Sequence, residues 1–256
     1  MKIGIFQFFL IFNFIFSSGT SIYEKSVLYY NSRSEGADGV NALATNIDSA
    51  IINFTNLKDN KIYELNASIY LLKSYYFKGK YVVQDKSDKK ELFNKGKKLG
   101  EKLIHTFPNS PGAHYWYLVN LGSWGEEYGI IAAAKEGAAD LMRKYSKKVI
   151  ELDNSYADGG GYFLLGAVHY KAPYIPFLLS WPNNKDAIKY LDLAIKTGEE
   201  TASQVVYLAQ ALYRKGDKEN AKKLLNSLLE QDLSTSHVVE DLEQHQIAKG
   251  LLEVWN

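Results

Sequence analysis

The residues with which this chain could do acid–base or metal chemistry are five histidines, His105, His114, His169, His237 and His245. None stands in an HExxH pair, and none accompanies a serine in a GxSxG elbow. The chain has no cysteine, which excludes thiolate nucleophiles, thiolate metal sites, disulfides and lipidation through cysteine. One pattern resembles a metal site: His237, Asp241 and His245 recur at four-residue intervals and share a helix face. At 1.5 Å per residue they spread over about 12 Å, too far for one ion to reach all three. Gly159-Gly160-Gly161 precedes a helix without a Walker lysine or the GxGxxG spacing after a strand, so it reads as a place where helices approach closely. Asn53-Phe-Thr55 and Asn66-Ala-Ser68 are glycosylation sequons inside helical patterns and read as chance. The expectation is a protein that is not an enzyme and has no catalytic residues, metal or cofactor.

What remains is aromatic. The stretch Pro111–Gly129 carries Tyr115, Trp116, Tyr117, Trp124 and Tyr128 on one helix and its exit. Consecutive helical residues sit about 100° apart, so Tyr115, Trp116 and Tyr117 cannot all face the core. With His114, Asn120, Tyr162 and His169 nearby, the aromatics would make an apolar wall with a few polar handles, the usual make-up of a small-molecule pocket. The candidate ligand-binding residues are Trp116, Tyr117, Trp124, Tyr162 and His169, for a small, partly apolar organic solute. The competing reading is that they fill gaps between long helices. A second stretch, Ala172–Pro182, is too rich in proline to be helical throughout and carries Tyr174, Phe177 and Trp181. Exposed together they would form an apolar patch that its own solenoid, a membrane or a neighbouring subunit must cover. They are the candidate oligomer or partner interface.

The elements that position these residues are helices. In Thr201–Asp232, Val205, Leu208, Ala209 and Leu212 recur at three- and four-residue spacing, Gly216-Asp217 breaks the pattern, and Ala221, Leu224, Leu225 and Leu228 restart it. The set resembles the tetratricopeptide signature, a helix–turn–helix unit of about 34 residues that stacks on copies of itself. Ala187 and Leu191 stand one repeat before Ala221 and Leu225. Read backwards, first helices fall around Ile69–Tyr76, Trp116–Ser123 and Tyr162–His169, and second helices at Asp88–His105, Lys135–Leu152, Lys185–Thr197 and Lys218–Gln231. The first three pairs carry roughly ten extra residues between their helices, more than a plain tetratricopeptide turn. Ahead of them Asp38 can cap a helix through Phe54, and Lys61–Lys78 forms a helix with Leu65, Ile69, Leu72 and Tyr76 inward. A last helix, Ser236–Trp255, would cover the open end of the stack. The expected fold is all-α: a tetratricopeptide-like α-solenoid of about four helix pairs with N-terminal helices and a C-terminal capping helix.

A net charge of +1 gives no electrostatic reason to bind nucleic acid, and the high apolar content argues against disorder. Met1-Lys2, the apolar run Ile3–Phe16 and Ser17-Ser18-Gly19 form a signal-peptide pattern cut at Gly19/Thr20. The run is shorter than the roughly 20 residues that span a bilayer. The expected organisation is a signal peptide over 1–19 and a single helical domain over 20–256, periplasmic or secreted.

Trp116 after Pro111, the second helix ending in Ile150–Tyr156, the glycine-rich start into Tyr162–Gly166, the Lys171-Ala-Pro173 turn and the closing helix pair together resemble the T component of tripartite ATP-independent periplasmic (TRAP) transporters. The order Trp116, Asp153, Gly166, Pro173 carries that resemblance, which spans Lys61 to Asp232. It implies a non-enzymatic periplasmic transport accessory that forms a trimer, works beside a periplasmic substrate-binding protein, and binds or passes the solute. Many members of that family are tethered by an acylated cysteine, which this chain lacks. The alternative is a secreted tetratricopeptide scaffold for protein–protein interaction, docking a peptide or helix in its groove.

Overall fold

A computed structural model describes residues 21–255, so the signal-peptide pattern lies outside the described residues. The chain is a run of helices: α1 (21–31), α2 (Ala44–Leu57), α3 (Glu64–Tyr81), α4 (Lys86–Thr106), α5 (Pro111–Tyr128), α6 (Ile130–Lys135), α7 (Ala138–Leu152), α8 (Tyr156–Lys171), α9 (Asn184–Thr197), α10 (Ala202–Lys215), α11 (Lys218–Leu229) and α12 (Val238–Trp255). Among the described residues there is no strand, only the isolated bridges Asp38–Asn41 and Ile175–Leu179. The all-α solenoid expected from the periodicity is the observed fold. Its pairs are α3/α4, α5/α7, α8/α9 and α10/α11, and each first helix also packs on the first helix of the next pair.

Local chemistry sets most boundaries. Asp85 accepts from the N–H groups of Ser87 and Asp88 at 2.8 and 3.1 Å and starts α4. Ser110 accepts from Ala113 N–H at 3.2 Å, with Pro111 at the first position of α5. Thr201 and Gln204 form a reciprocal capping box at α10, and Gly216, at φ 98°, ends that helix in the left-handed conformation. Asp38 does not cap α2. It sits in a turn closed on Asn41 by two 3.0 Å hydrogen bonds, and α2 begins only after Leu43, which is extended.

Two further expectations are corrected. The first pair has no insert: α3 runs to Tyr81 and four residues, 82–85, lead into α4. The helix expected from Lys135 begins at Ala138, because Gly137, at φ 83°, separates it from the short α6 that ends at Lys135. The segment 129–137, which contains α6, and the loop over 172–183 are the true insertions. In α3 the fully buried apolar residues are Ala67, Leu71, Leu72 and Phe77, while Leu65, Ile69 and Tyr76 are half-buried. The arc is wider than one stripe because α3 packs on α2, α4 and α5 at once.

The pairs are held close by small residues. A Cβ at Gly96 would lie 2.0 Å from Asn120 Oδ1, one at Gly100 2.9 Å from Tyr117 Cα, and one at Gly166 3.0 Å from the Leu191 nitrogen. Ala187, Ala209 and Ala221 are wholly buried at the corresponding crossings of the later pairs. The glycine run behaves as expected from sequence, with Gly159 against Ala194, Gly160 against Tyr115 and Gly161 against Ile150. Gly→Ala in a helix normally gains up to about 1 kcal/mol. Here the sign depends on place: Gly100→Ala should lower the thermal midpoint, because the Tyr117 backbone cannot yield. Gly250→Ala, with nothing within 4 Å of its new Cβ, should raise it. Parallel thermal melts of the two variants check this.

Candidate functional site

On the side of the solenoid lined by first helices, a cavity of about 310 Å³ opens between α1, α3, α5 and the start of α12. Helical spacing builds its α3 wall: Tyr70, Lys73 and Tyr76 recur every third residue and share a face. Tyr30 and Arg33 come from α1 and its exit, Trp116 from α5, and His237 and Glu240 from the first turn of α12 and the residue before it.

The cavity carries two cations and one carboxylate. Arg33, 3% exposed, is fully used: Nε and Nη2 donate to Glu240 Oε1 at 3.1 and 2.6 Å, Nη2 to Ser236 O at 2.8 Å and Nη1 to Tyr30 O at 3.3 Å. Its guanidinium lies over the Tyr30 and Phe77 rings. Burial pushes the Glu240 carboxyl up, but His237 and Arg33 outweigh it and hold the group below its ordinary value of 4.5. Lys73 differs. Its ammonium stands 4.8, 5.4 and 5.8 Å from the centres of the Tyr70, Trp116 and Tyr30 rings, and among the described residues no carboxylate pairs with it. Burial, then the Arg33 charge, hold its pKa below the usual lysine value.

The expected ligand residues are dispersed. Trp116 lines the cavity. Tyr117, 1% exposed, is core, edge-on to Tyr145 and pressed against Gly100. Trp124, 8% exposed, stacks on Tyr128 with Lys97 over its ring. His169 is buried against Trp181 and Tyr190, and Tyr162 is half-buried on α8, outside the cavity wall. The polar handles are internal too: His114 is buried with Nε2 donating to Pro108 O at 2.9 Å, and Asn120 donates to the Leu72 and Trp116 carbonyls. The 100° rotation between Tyr115, Trp116 and Tyr117 therefore sent Tyr117 inward and Trp116 to the groove.

Of the expected interface residues, Tyr174 is 64% exposed and Phe177 wholly so, at the tip of a turn closed by two Ile175–Leu179 hydrogen bonds. Trp181 is covered by its own chain. Its Nε1 donates to Asp140 at 2.8 Å, and Arg143 lies 4.3 Å from its ring. The His237/Asp241/His245 pattern holds no metal cluster among the described residues; His237 faces Arg33, and Asp241 accepts from Ser234 N–H.

Arg33, Lys73 and Glu240 were not visible from spacing alone. The available signal was Tyr70-x2-Lys73-x2-Tyr76, a lysine between two aromatics on a helix face. Arg33 and Glu240 lie 207 residues apart, and nothing local links them.

A crystal structure of a thermophilic tetratricopeptide protein from Thermus thermophilus superposes with a TM-score of 0.57 at 17% identity, covering 81% of this chain and 91% of that one. That likeness concerns the fold. No curated protein sequence matches the chain. The TRAP T-component resemblance is overturned, because the family profile that matches is a different one. The features that carried it are those of stacked helices generally: Gly166 lets α9 approach, Asp153 turns the chain by accepting from Ser155 N–H at 3.0 Å, and Pro173 follows the end of α8. The matching profile, that of regulator of microtubule dynamics protein 1-3, covers residues 42–178, more than half of the chain, and the protein belongs to that family.

Proposed function

We propose that this protein is a non-enzymatic scaffold that docks a helix or segment of a partner protein on the face lined by its first helices. The observation that carries the reading is α12, an internal occupant that meets that face at α3 and α10 and also packs on α2 and α11. At its start Val239 is wholly buried among α1, α2 and α3 residues, Glu240 pairs with Arg33, and Glu243 takes Lys80 at 2.7 Å and the Tyr81 hydroxyl at 2.9 Å. At its end Ala248, Leu251, Leu252 and Trp255 pack on α10 and α11, with Trp255 stacked on Tyr213 at 4.0 Å. A helix seated by apolar anchors and acidic side chains is the helix-in-groove mode of recognition, and it marks the face as suited to acidic amphipathic helices. Beyond α12 the same face carries Lys171, Tyr207, Gln210 and Arg214, whose guanidinium lies 3.8 Å from the Tyr170 ring. The engagement of His114 and His169 in packing supports a non-enzymatic role. The family's description, regulation of microtubule dynamics, makes a microtubule component the first partner to try.

Two measurements test this. A fluorescent peptide of the Ser236–Trp255 sequence should bind the full-length chain weakly and bind Glu240→Gln more tightly, because loosening the internal helix opens its seat. The chain should also pellet with assembled microtubules. Absence of both would remove the scaffold reading.

The seat of α12 also has a pH signature. Glu240 has a depressed pKa in the folded state, so its contribution is present above about 4.5 and is lost as pH falls through the folded value. The thermal midpoint of the wild type should fall more steeply between about pH 5 and pH 3 than that of Glu240→Gln. Parallel slopes would show that the Arg33–Glu240 contact adds nothing to stability.

A further inference from the structure

We propose that the cavity around Lys73 binds the C-terminal residue of a docked peptide, its free carboxylate on the Lys73 ammonium and an apolar or aromatic side chain among Tyr30, Tyr70, Tyr76 and Trp116. The inference deepens the scaffold reading and rests on it, since it names what one part of that face recognises.

Three observations converge. The first is charge: Lys73 and Arg33 against Glu240 leave one positive charge in excess, and it resides on Lys73, because Arg33 is committed to Glu240 and Ser236. A half-buried ammonium whose described contacts are rings keeps only part of its hydration, and an incoming carboxylate supplies the missing partner. The second is size. About 310 Å³ is at the lower limit of ligand pockets, room for one residue and not for a long chain. The third is the pairing of cation with aromatic wall inside that single volume. An internal glutamate or aspartate offers the charge but little apolar body, whereas a terminal residue offers carboxylate and side chain together. A phosphate group is recognised best by a free guanidinium fork or a helix N-terminus; here the one fork is already occupied, and the start of α12 already holds the Glu240 carboxylate.

The experiment uses the full-length chain with small probes, followed by the indole N–H resonances of its four tryptophans. N-acetylphenylalanine should shift the Trp116 resonance at millimolar concentration. Its amide should not. Lys73→Met, which keeps most of the apolar stem and removes the charge, should weaken N-acetylphenylalanine binding by about tenfold or more, the weight of a charge-assisted hydrogen bond. Equal binding of the amide, unchanged binding by Lys73→Met, or a preference for N-acetylglutamate amide or phenyl phosphate would each overturn the proposal. So would shifts confined to Trp124, Trp181 and Trp255, a readout that needs only the unaltered protein. Failure here, with the Ser236–Trp255 peptide still bound, would remove this pocket and leave the scaffold standing.

Discussion

Close approach of helix backbones is the constraint on which the rest of the molecule depends. A helix pair of this kind cannot bury its own apolar stripe, so stability comes from stacking, and stacking requires that the axes come near enough for side chains to interlock. Gly96 and Gly100 let α4 meet α5, Gly161 lets α8 meet α7, Gly166 lets α9 meet α8, and Ala209 and Ala221 do the same for α10 and α11. At Gly100 the neighbour is the Cα of Tyr117, so the seat of that aromatic, and through it the rotation of α5, is set by a missing methyl group. Trp116 faces the inner side because Tyr117 does not.

The second organising feature is the link between the two ends of the chain. The helix α12 does more than close the open end: it joins α1 and α3 at its start to α10 and α11 at its finish. A buried ion pair such as Arg33–Glu240 gives little net stability by itself, since both charges lose their hydration. Its effect is on register. Only one placement of α12 brings Glu240 to Arg33 and Glu243 to Lys80 while Val239 enters the core. The same pair explains the character of Lys73, for a guanidinium already neutralised leaves the neighbouring ammonium as the unmatched charge.

The TRAP resemblance shows what helical spacing can and cannot carry. A tyrosine–tryptophan pair after proline, a glycine-rich helix start and a Lys-Ala-Pro exit are solutions to packing and turning, so any stack of paired helices can use them. They identified the architecture correctly and the family wrongly. Of the residues that give this chain an individual site, Arg33 and Glu240 lie in elements outside the repeated pairs, and Lys73 stands on a first helix at a position the repeat pattern does not specify.

The sequence by itself determined the helices, their pairing and most of their ends, because 3.6-residue periodicity, capping side chains and glycine turns act within a few residues of one another. It also located the tight crossings, through the glycine run and the paired alanines. Only the tertiary structure decided which aromatics are core, that the first pair lacks an insert, that Trp181 is covered by Asp140 and Arg143, and that α12 reaches back to α1. Each of these depends on contacts between residues far apart in the chain, such as Arg33 with Glu240. Periodicity fixes the face of a helix but not the neighbour that face will meet.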